Sequence, residues 1–162
     1  VKDPYDLVLL DFPPSLNYSS INGLFASNCV IVPTPPELVD LHSTHEFLDA
    51  IAQTFAYYET HEFSKPNDFE FLKLLVTKAF TEGFPAELEG GLKLMLGDRV
   101  MKNSILGSKV FSNTTAAYTT PYEVYKYKDR QTYNRCIDNL DSVVTEFEEL
   151  LKEKIWRINN GD

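Results

Sequence analysis

The stretch Tyr5-Asp6-Leu7-Val8-Leu9-Leu10-Asp11-Phe12-Pro13-Pro14-Ser15 decides which fold class this sequence indicates. Four consecutive apolar residues lead up to Asp11, and two prolines follow after one intervening residue. A continuous apolar run of this length is typical of a strand buried on both faces of a parallel sheet. The sequence therefore predicts a strand near residues 6–11 with Asp11 at its carboxyl end.

Asp11 is the first candidate for chemistry, because open α/β sheets place their ligands at the carboxyl ends of their strands. A carboxylate fixed there can hold Mg²⁺ through a water molecule and so steady the phosphates of a nucleotide, the arrangement called Walker B. The alternative is that Asp11 caps the following turn through local backbone amides. The usual partner of a Walker B carboxylate, a G-x-x-x-x-G-K-[ST] loop, does not occur in the sequence. We therefore interpret the chain as the second half of a nucleotide-binding domain.

Length and composition favour one globular domain. The chain has 162 residues, 43% of them apolar, and no apolar run approaches the ~20 residues that span a bilayer. It opens on Val1 without a charged-then-apolar leader, so we expect no secretory signal and a fragment of a longer protein. The formal net charge of −9 argues against a protein that binds nucleic acid over its whole surface.

Further strands and helices follow in the order expected of an α/β chain. Residues 17–27 are long enough for a crossover helix, and residues 29–33 and 70–77 read as parallel strands. A capping box at Ser43 and Glu46 predicts a helix start there, with Asp40 as a competing start. Residues 85–96 look helical, and residues 100–106 look like one more short strand.

The last element is a long helix between Arg130 and Trp156. An apolar stripe with steps of three and four residues runs along it, and we expect this stripe to pack on the core rather than against a partner. Its members are Tyr133, Ile137, Leu140, Val144, Phe147 and Leu151. The predicted fold is thus α/β, a mostly parallel sheet flanked by helices, with a long C-terminal helix.

Two side-chain groups raise the question of a metal. Cys29 and Cys136 lie in a predicted strand and a predicted helix, and buried thiols in a reducing cytoplasm are the favoured interpretation. His42, His45 and Glu46 share one helical face, but a zinc site needs three or four ligands and His61 falls in a polar loop. Polarity near the start of a helix is therefore the better explanation of the histidines.

A basic and aromatic patch precedes and enters the C-terminal helix. Phosphates are the groups that such a patch would bind, with an affinity that falls as salt rises. A solvated face is the alternative, and acidic residues dilute the charge near the end of the helix. The candidate DNA-contacting residues are Lys126, Lys128, Arg130 and Arg135.

The order strand, Asp-x-Pro-Pro, crossover helix, strand and capped helix resembles the ParA/MinD group of deviant Walker-A ATPases. Within that group the sequence is most similar to the large plasmid and phage-plasmid ParA/SopA partition proteins. The resemblance rests on residues 5–22 and 30–47, especially Pro35-Pro36-Glu37-Leu38-Val39-Asp40-Leu41-His42-Ser43-Thr44, and more loosely on residues 103–122.

This resemblance implies a P-loop NTPase-like fold and an ATPase that dimerises on ATP and binds DNA non-specifically in that state. A centromere-binding partner would stimulate hydrolysis, and the protein would be cytoplasmic and nucleoid-associated. Asp11 would hold Mg²⁺ indirectly, and the switch that senses the γ-phosphate would be Phe12, Pro13, Pro14 and Ser15. Family members often contact adenine after a late strand, here near Thr77 and Lys78 and near residues 106–108, although an arginine common in the latter loop is missing.

The resemblance also defines what this chain lacks. In such proteins the lysine-bearing phosphate loop and the switch I aspartate lie upstream, and neither is in this sequence. The intact protein is then expected to be an ATPase and this part alone to be inactive. The alternatives are a non-catalytic module that self-associates through the C-terminal helix, and a membrane-associated ATPase, which residues 155–158 suggest only weakly. We expect no stable membrane association.

Overall fold

A computed structural model describes residues 5–13, 15–61, 69–123 and 128–156, with residues 155 and 156 described by their backbone alone. Five α-helices and two strands lie along the described residues. They are α1 (Tyr18–Ala26), β1 (Cys29–Thr34), α2 (Leu38–Thr60), β2 (Phe71–Val76), α3 (Phe84–Leu96), α4 (Lys109–Ala116) and α5 (Arg130–Leu151). Short 3₁₀ turns at Gly97–Arg99 and Pro121–Glu123 and a π-helical turn at Lys152–Trp156 complete them.

The two strands form a parallel pair, which confirms the α/β class and the strands predicted near 29–33 and 70–77. Cys29 lies beside Phe71 and Thr34 beside Val76, so the strands are paired over their whole length. Parallel neighbours need a crossover connection, and α2 supplies it. The carboxyl ends of β1 and β2 therefore lie at the same end of the sheet.

A third, shorter extended segment lies along the other edge of β2. The amides of Met101 and Ile105 donate to the carbonyls of Leu74 and Val76, both at 2.8 Å. Two isolated parallel bridges, Leu74 with Val100 and Ala79 with Leu106, mark its ends. The strand predicted at residues 100–106 is thus present as a pair of bridges and not as a continuous ladder, and we call residues 100–106 the bridge segment.

The strand predicted near residues 6–11 is wrong. Residues 7–13 have no strand pairing, and within the run Val8 is 68% and Leu9 75% exposed. A strand is stabilised by hydrogen bonds to a neighbour and by cover on its faces, and no described segment supplies either to this run. Its apolar sequence is typical of a buried strand, but the packing that would bury it is not formed in this structure.

The core lies between the sheet and the helices that flank it. Val32, Leu74, Val76, Ala79 and Val100 are buried together. Partly buried side chains from α2, α3 and the bridge segment cover this cluster, and they include Leu48, Leu92, Leu96 and Leu106. The parallel pair is therefore covered by helices, as the apolar sequences of both strands predict.

Aromatic contacts tie α1 to α2. The ring of Phe25 stacks on that of Phe55 with centroids 5.0 Å apart, and Tyr58 meets Phe25 edge-on at the same distance. Phe69 continues the cluster at 5.6 Å from Phe55. Such pairs contribute roughly 0.5–1.5 kcal/mol each beyond the area they bury, so the cluster fixes how the first helix lies on the second.

Helix boundaries follow local chemistry, with one correction. Helix α1 begins where predicted, because the side chain of Asn17 accepts from the amides of Ser19 and Ser20. The start predicted at Ser43 is wrong, since α2 begins at Leu38, shortly after two prolines. Inside the helix the hydroxyl of Ser43 donates to the Val39 carbonyl at 2.9 Å and caps nothing.

The long C-terminal helix packs on its own chain, as expected, but its buried face is rotated from the predicted stripe. Cys136, Val143 and Glu146 are buried beside the stripe, and within the stripe Leu151 is buried whereas Val144 is 46% exposed. In the part of the chain that the structure describes, no helix combines the length and hydropathy needed to span a membrane.

Candidate functional site at the carboxyl end of the sheet

The carboxyl ends of β1 and β2 are joined directly by their backbones. The amide of Thr77 donates to the carbonyl of Thr34 at 2.9 Å. Thr34 is fully buried, and its hydroxyl lies 2.8 Å from that of Thr44 on α2. The loops that follow both strands therefore start from one rigid point.

Lys78, just beyond β2, has an unusual backbone conformation. Its φ angle is +51°, in the left-handed region that residues other than glycine rarely adopt. The surrounding hydrogen bonds hold it there, because the next amide, of Ala79, donates to Ile105 and the amide of Gly107 donates back to Ala79, both at 2.9 Å. Strained residues of this kind are concentrated at functional sites, which makes the segment after β2 a candidate.

The same loops form the wall of a cavity of about 170 Å³. Residues after β2, residues at the end of the bridge segment and one face of α5 meet there. The lining residues are Ala79, Phe80, Thr81, Leu106, Gly107, Ser108, Thr132, Arg135 and Cys136. Open α/β sheets bind ligands at this end, so the cavity lies where the topology predicts a site.

Side chains of two chemical kinds line this cavity. Phe80 is 52% exposed although it is a large apolar residue. Arg135 makes no hydrogen bond or ion pair with any residue in the described ranges 5–13, 15–61, 69–123 and 128–156. An aromatic ring and a guanidinium that both line one cavity can bind a planar or anionic group.

Cys136 anchors α5 beneath the cavity. Burial raises the pKa of its thiol, and a hydrogen bond with Ser108 lowers that pKa less strongly. Ser108 also accepts from the amide of Val110 at 3.2 Å and so caps α4. The thiol therefore stays protonated at neutral pH and serves packing, as the favoured interpretation of the cysteines predicts.

The segment that carries Asp11 precedes α1. Asp11 and Pro13 are exposed, and the ring of Phe12 lies over Gly23, where an added Cβ would come within 2.0 Å of it. Ser15 is tied to the start of α1, because its carbonyl accepts from the hydroxyl of Ser20 at 2.7 Å. Pro14 lies outside the described residues.

The structure brings some predicted site residues together and leaves others apart. Thr77 and Lys78 lie at the carboxyl end of the sheet beside residues 106–108, and their contact with adenine stays a prediction. No described hydrogen bond or ion pair joins them to residues 11–15. Within residues 11–15 Asp11 is the one carboxylate, which is consistent with indirect binding of Mg²⁺ through water but not with a protein-only metal site.

The histidines of α2 do not assemble a metal site in the described residues. His42, His45 and Glu46 are exposed along α2, and His61 ends that helix. No group of three or more histidine, cysteine, aspartate or glutamate side chains in the described ranges could hold a metal ion.

The basic patch is divided by the geometry of α5. Lys128 and Arg130 are exposed near the helix start, and Lys126 lies outside the described residues. Arg135 follows Arg130 by five positions, about 140° around the helix axis at 3.6 residues per turn, and it lines the cavity. Arg135 thus lies on a different face from Arg130.

Sequence reasoning missed the side chains that hold α5 to the sheet. Asn139 accepts from the amide of Leu106 and donates to the carbonyl of Ser104, both at 2.9 Å. Glu146 accepts from the amides of two neighbouring residues, 102 and 103, both at 2.7 Å. Asn139 and Glu146 are seven positions apart and therefore lie on one face of the helix, the face that also carries Val143. This spacing of two polar residues was the signal in the sequence that the face forms hydrogen bonds with backbone groups.

The sequence matches one family model and is similar to several known proteins. Residues 1–62 match the model of a family described as an AAA domain. Over 153 residues, 93% of this chain, the sequence is 31% identical to a protein of Sinorhizobium fredii named as a candidate replication protein A. A protein of the same name from Rhizobium rhizogenes is 27% identical over 158 residues, 96% of this chain.

Shorter matches join a part of the chain to partition proteins. Protein SopA of Escherichia coli is 39% identical over 51 residues, and the chromosome-partitioning ATPase Soj of Treponema pallidum is 41% identical over 51 residues. Each match covers 32% of this chain. The chain spans 37% and 38% of the two proteins that it matches along most of its length. It is therefore related to the ParA-type AAA proteins, with residues 1–62 inside the matched domain and the remainder similar to replication protein A.

Proposed function

We propose that this chain is the C-terminal part of a plasmid or chromosome partition ATPase whose intact form binds ATP and Mg²⁺. Residues 1–162 would be the C-terminal part of a single ATPase domain. The intact protein would dimerise and bind DNA non-specifically to segregate replicons. The observation that carries the proposal is the similarity over 93% of the chain, combined with a cavity at the ligand-binding end of the sheet. Names of the related proteins point to replication and partition, so a cytoplasmic, nucleoid-associated location is part of the proposal.

Within this proposal Asp11 supplies the carboxylate that holds Mg²⁺ through water. Phe12, Pro13, Pro14 and Ser15 form the switch beside it. The exposed carboxylate of Asp11 and the hydroxyl of Ser15 are suited to water-mediated contacts with a metal–nucleotide complex. The phosphate loop of this chemistry would come from the part of the relatives' length that this chain does not span.

The experiment is a calorimetric titration of ATP–Mg²⁺ into this chain and into the protein extended upstream. Binding by the extended form alone is the expected result. In the extended form, Asp11→Asn should lower the hydrolysis rate about a hundredfold, since it removes electrostatic stabilisation of the transferred phosphoryl group. Asp6→Asn, a charge-matched change in the same exposed segment, should leave the rate within about twofold. Failure of both forms to bind ATP would overturn the proposal.

Contact with DNA is proposed for the start of α5. Lys126, Lys128 and Arg130 carry the positive charge of this surface. The logarithm of the DNA-binding constant falls linearly with the logarithm of the salt concentration, and the slope should become shallower by about 0.9 for each phosphate contact that is lost. Replacing Lys128 and Arg130 with alanine should therefore weaken retention on DNA, whereas replacing Lys152 and Lys154 should not. Unchanged retention by the first variant would exclude this surface.

Two partners belong to the same proposal, a second copy of the protein and a centromere-binding protein. Self-association through the C-terminal helix is the less favoured alternative, because α5 already buries Cys136, Val143 and Leu151 against its own chain. Sedimentation of the extended protein with and without ATP tests dimerisation directly. A dimer that forms equally without nucleotide would favour the alternative.

A further inference from the structure

We propose that two copies of this chain pair through the outer face of α3, with the two α3 helices antiparallel. The outer face is the solvent-exposed side of the helix, which carries Phe84, Gly90, Gly91, Leu94 and Met95. The inference goes beyond the proposed function, because the pairing needs neither nucleotide nor DNA. It follows from the exposure of this face, its shape, its charges and its area.

Helix α3 is covered on one side only. Leu92 and Leu96 pack against the core. No residue of α3 is buried, whereas each of the other four α-helices in the described part of the chain buries at least one residue. On the outer face Leu94 is 88% and Met95 85% exposed. Exposed apolar side chains that lie together mark interaction sites on soluble proteins.

The outer face combines projecting side chains with a gap. At 3.6 residues per turn, Gly91, Leu94 and Met95 lie within about 100° of one another around the helix axis. A Cβ added at Gly90 or Gly91 would meet nothing within 4 Å, so the surface beside both glycines is open. Two large apolar side chains therefore stand next to a stretch of helix that has none.

This order of side chains and gap makes the face complementary to itself. When two α3 helices lie antiparallel about a two-fold axis between residues 92 and 93, Leu94 of one copy is level with Gly91 of the other. By the same symmetry Met95 is level with Gly90. Each large side chain then meets a gap, as an isologous interface requires. The glycines also let the helix axes approach closely, because the interaxial distance depends on the side chains at the contact.

Charged residues at the ends of the face favour the antiparallel orientation. Glu87 lies in the first turn of α3, Arg99 lies in the 3₁₀ turn that follows the helix, and both are exposed. The antiparallel arrangement brings Glu87 of each copy level with the turn Gly97–Arg99 of the other, whereas a parallel one would set Glu87 against Glu87. Asp98 in the same turn offsets part of this attraction, so apolar contact carries most of the pairing.

The area of the outer face suits a weak dimer. Phe84, Leu94 and Met95 expose on the order of 400 Å² on each copy, an area within the range of functional patches on monomers. Pairing two such faces buries about 800 Å² of apolar surface, and the polar residues around them bring the total to about 1,000 Å², the lower limit for a specific interface. The pairing is therefore reversible, with a dissociation constant of about 10–100 μM.

Sedimentation velocity of this chain without nucleotide, at about 5–500 μM, tests the inference. The expected result is a shift from the 18.5 kDa monomer to a dimer as the concentration rises. Leu94→Gln and Gly91→Gln should each weaken the association about tenfold or more. Because glutamine favours a helix more than glycine does, the fold of Gly91→Gln is retained and its effect comes from the filled gap. Val39→Gln, which replaces an exposed apolar residue of α2, should leave the association unchanged.

Two results with this chain would overturn the inference: a monomer at every concentration, or a dimer that Leu94→Gln does not weaken. A dimer of this chain that the extended protein cannot form would also overturn it, because the rest of the protein would then cover α3. In the extended protein Leu94→Gln should leave the ATP-dependent dimer of the proposed function unchanged, so the two proposals can fail separately. A nucleotide-independent dimer that Leu94→Gln abolishes belongs to α3 and not to the C-terminal helix.

Discussion

Glu146 on α5 accepts hydrogen bonds from both the main-chain amide and the side-chain amide of Asn103, at 2.7 and 2.9 Å. The same carboxylate accepts from the amide of Lys102. Glu146 is only 9% exposed, and the hydrogen bonds that it accepts are partly shielded from water. One acidic side chain thus fixes where the long helix lies on the sheet.

Glu146→Ala should lower the free energy of unfolding by about 1–3 kcal/mol, because part-buried donors would be left without their acceptor. Urea unfolding measures the change. Glu148→Ala is the matched control: its carboxylate is exposed and makes only a 3.5 Å pair with Lys152, so the decrease should stay below about 0.5 kcal/mol. Equal decreases for the two variants would contradict the role given to Glu146.

Asn139 provides a residue-specific test of how α5 is held. Asn139→Ala should speed hydrogen exchange at the amide of Leu106, which donates to its side chain. The amide of Ile105, which donates to Val76, should be protected as before and serves as the internal control. Exchange that rises equally at both amides would indicate general unfolding and not the removal of a single hydrogen bond.

Two glycines with opposite surroundings give a third prediction. A Cβ at Gly90 on α3 would meet nothing within 4 Å, so Gly90→Ala should stabilise the protein by about 0.5–1 kcal/mol through helix propensity. At Gly23 on α1 the same atom would displace the ring of Phe12, so Gly23→Ala should stabilise less or destabilise. Urea unfolding of both variants checks this, and equal stabilisation would mean that Phe12 does not rest on Gly23.

Acid should loosen the start of α5. Hydrogen bonds from the Thr132 hydroxyl and amide hold the pKa of Asp129 below its ordinary value of 3.8, and bonds from Thr120 and Thr119 lower the pKa of Glu123. The pKa of each carboxyl group is lower in the folded state than in the unfolded state. The ionised groups therefore stabilise the fold above their ordinary pKa, and this stabilisation is lost as the pH falls through the lowered value. NMR of the Thr132 amide between about pH 6 and pH 2 should show this change, and Asp129→Asn should remove most of it.

The two thiols should react slowly. Burial raises the pKa of Cys29 and of Cys136 above the ordinary value of 9.0. Both thiols then favour the protonated form in the folded state, so their contribution to stability is present below that value and falls as the pH rises through the raised pKa. At about pH 8 alkylation of the folded chain should be about tenfold slower than in urea, as mass spectrometry would show. Equal rates would mean that the fold shields neither the half-buried Cys29 nor the buried Cys136.

Much of the fold could be predicted because its signals are local. The apolar runs at 29–33 and 70–77 and the stretch at 17–27 each predict an element from nearby residues, and the structure confirms the two strands and the helix. The run at residues 7–10 has an equally strong local signal, yet it is exposed. A parallel strand depends on a neighbour distant in sequence, which no local pattern can supply.

The end of the sheet at which the candidate site lies could be predicted, but the residues of α5 that line it could not. Thr77, Lys78 and residues 106–108 lie at the sheet end that topology indicates for ligands. The part played by α5 depends on which turn of the helix lies at the cavity, and that is set by packing around Val143 and Glu146. In the sequence Arg135 belongs to a basic run, whereas the structure places it on a cavity wall.

The attachment of α5 to the bridge segment also determines how this sheet can grow. Along residues 102–106, Asn139 and Glu146 occupy donors and an acceptor that a further strand would otherwise use. Side chains here take the place of a neighbouring strand and close that edge. In the described part of the chain, the edge of β1 away from β2 carries no such closure. Any strand added by the rest of a longer protein, or by residues 7–10 themselves, would therefore extend the sheet from β1.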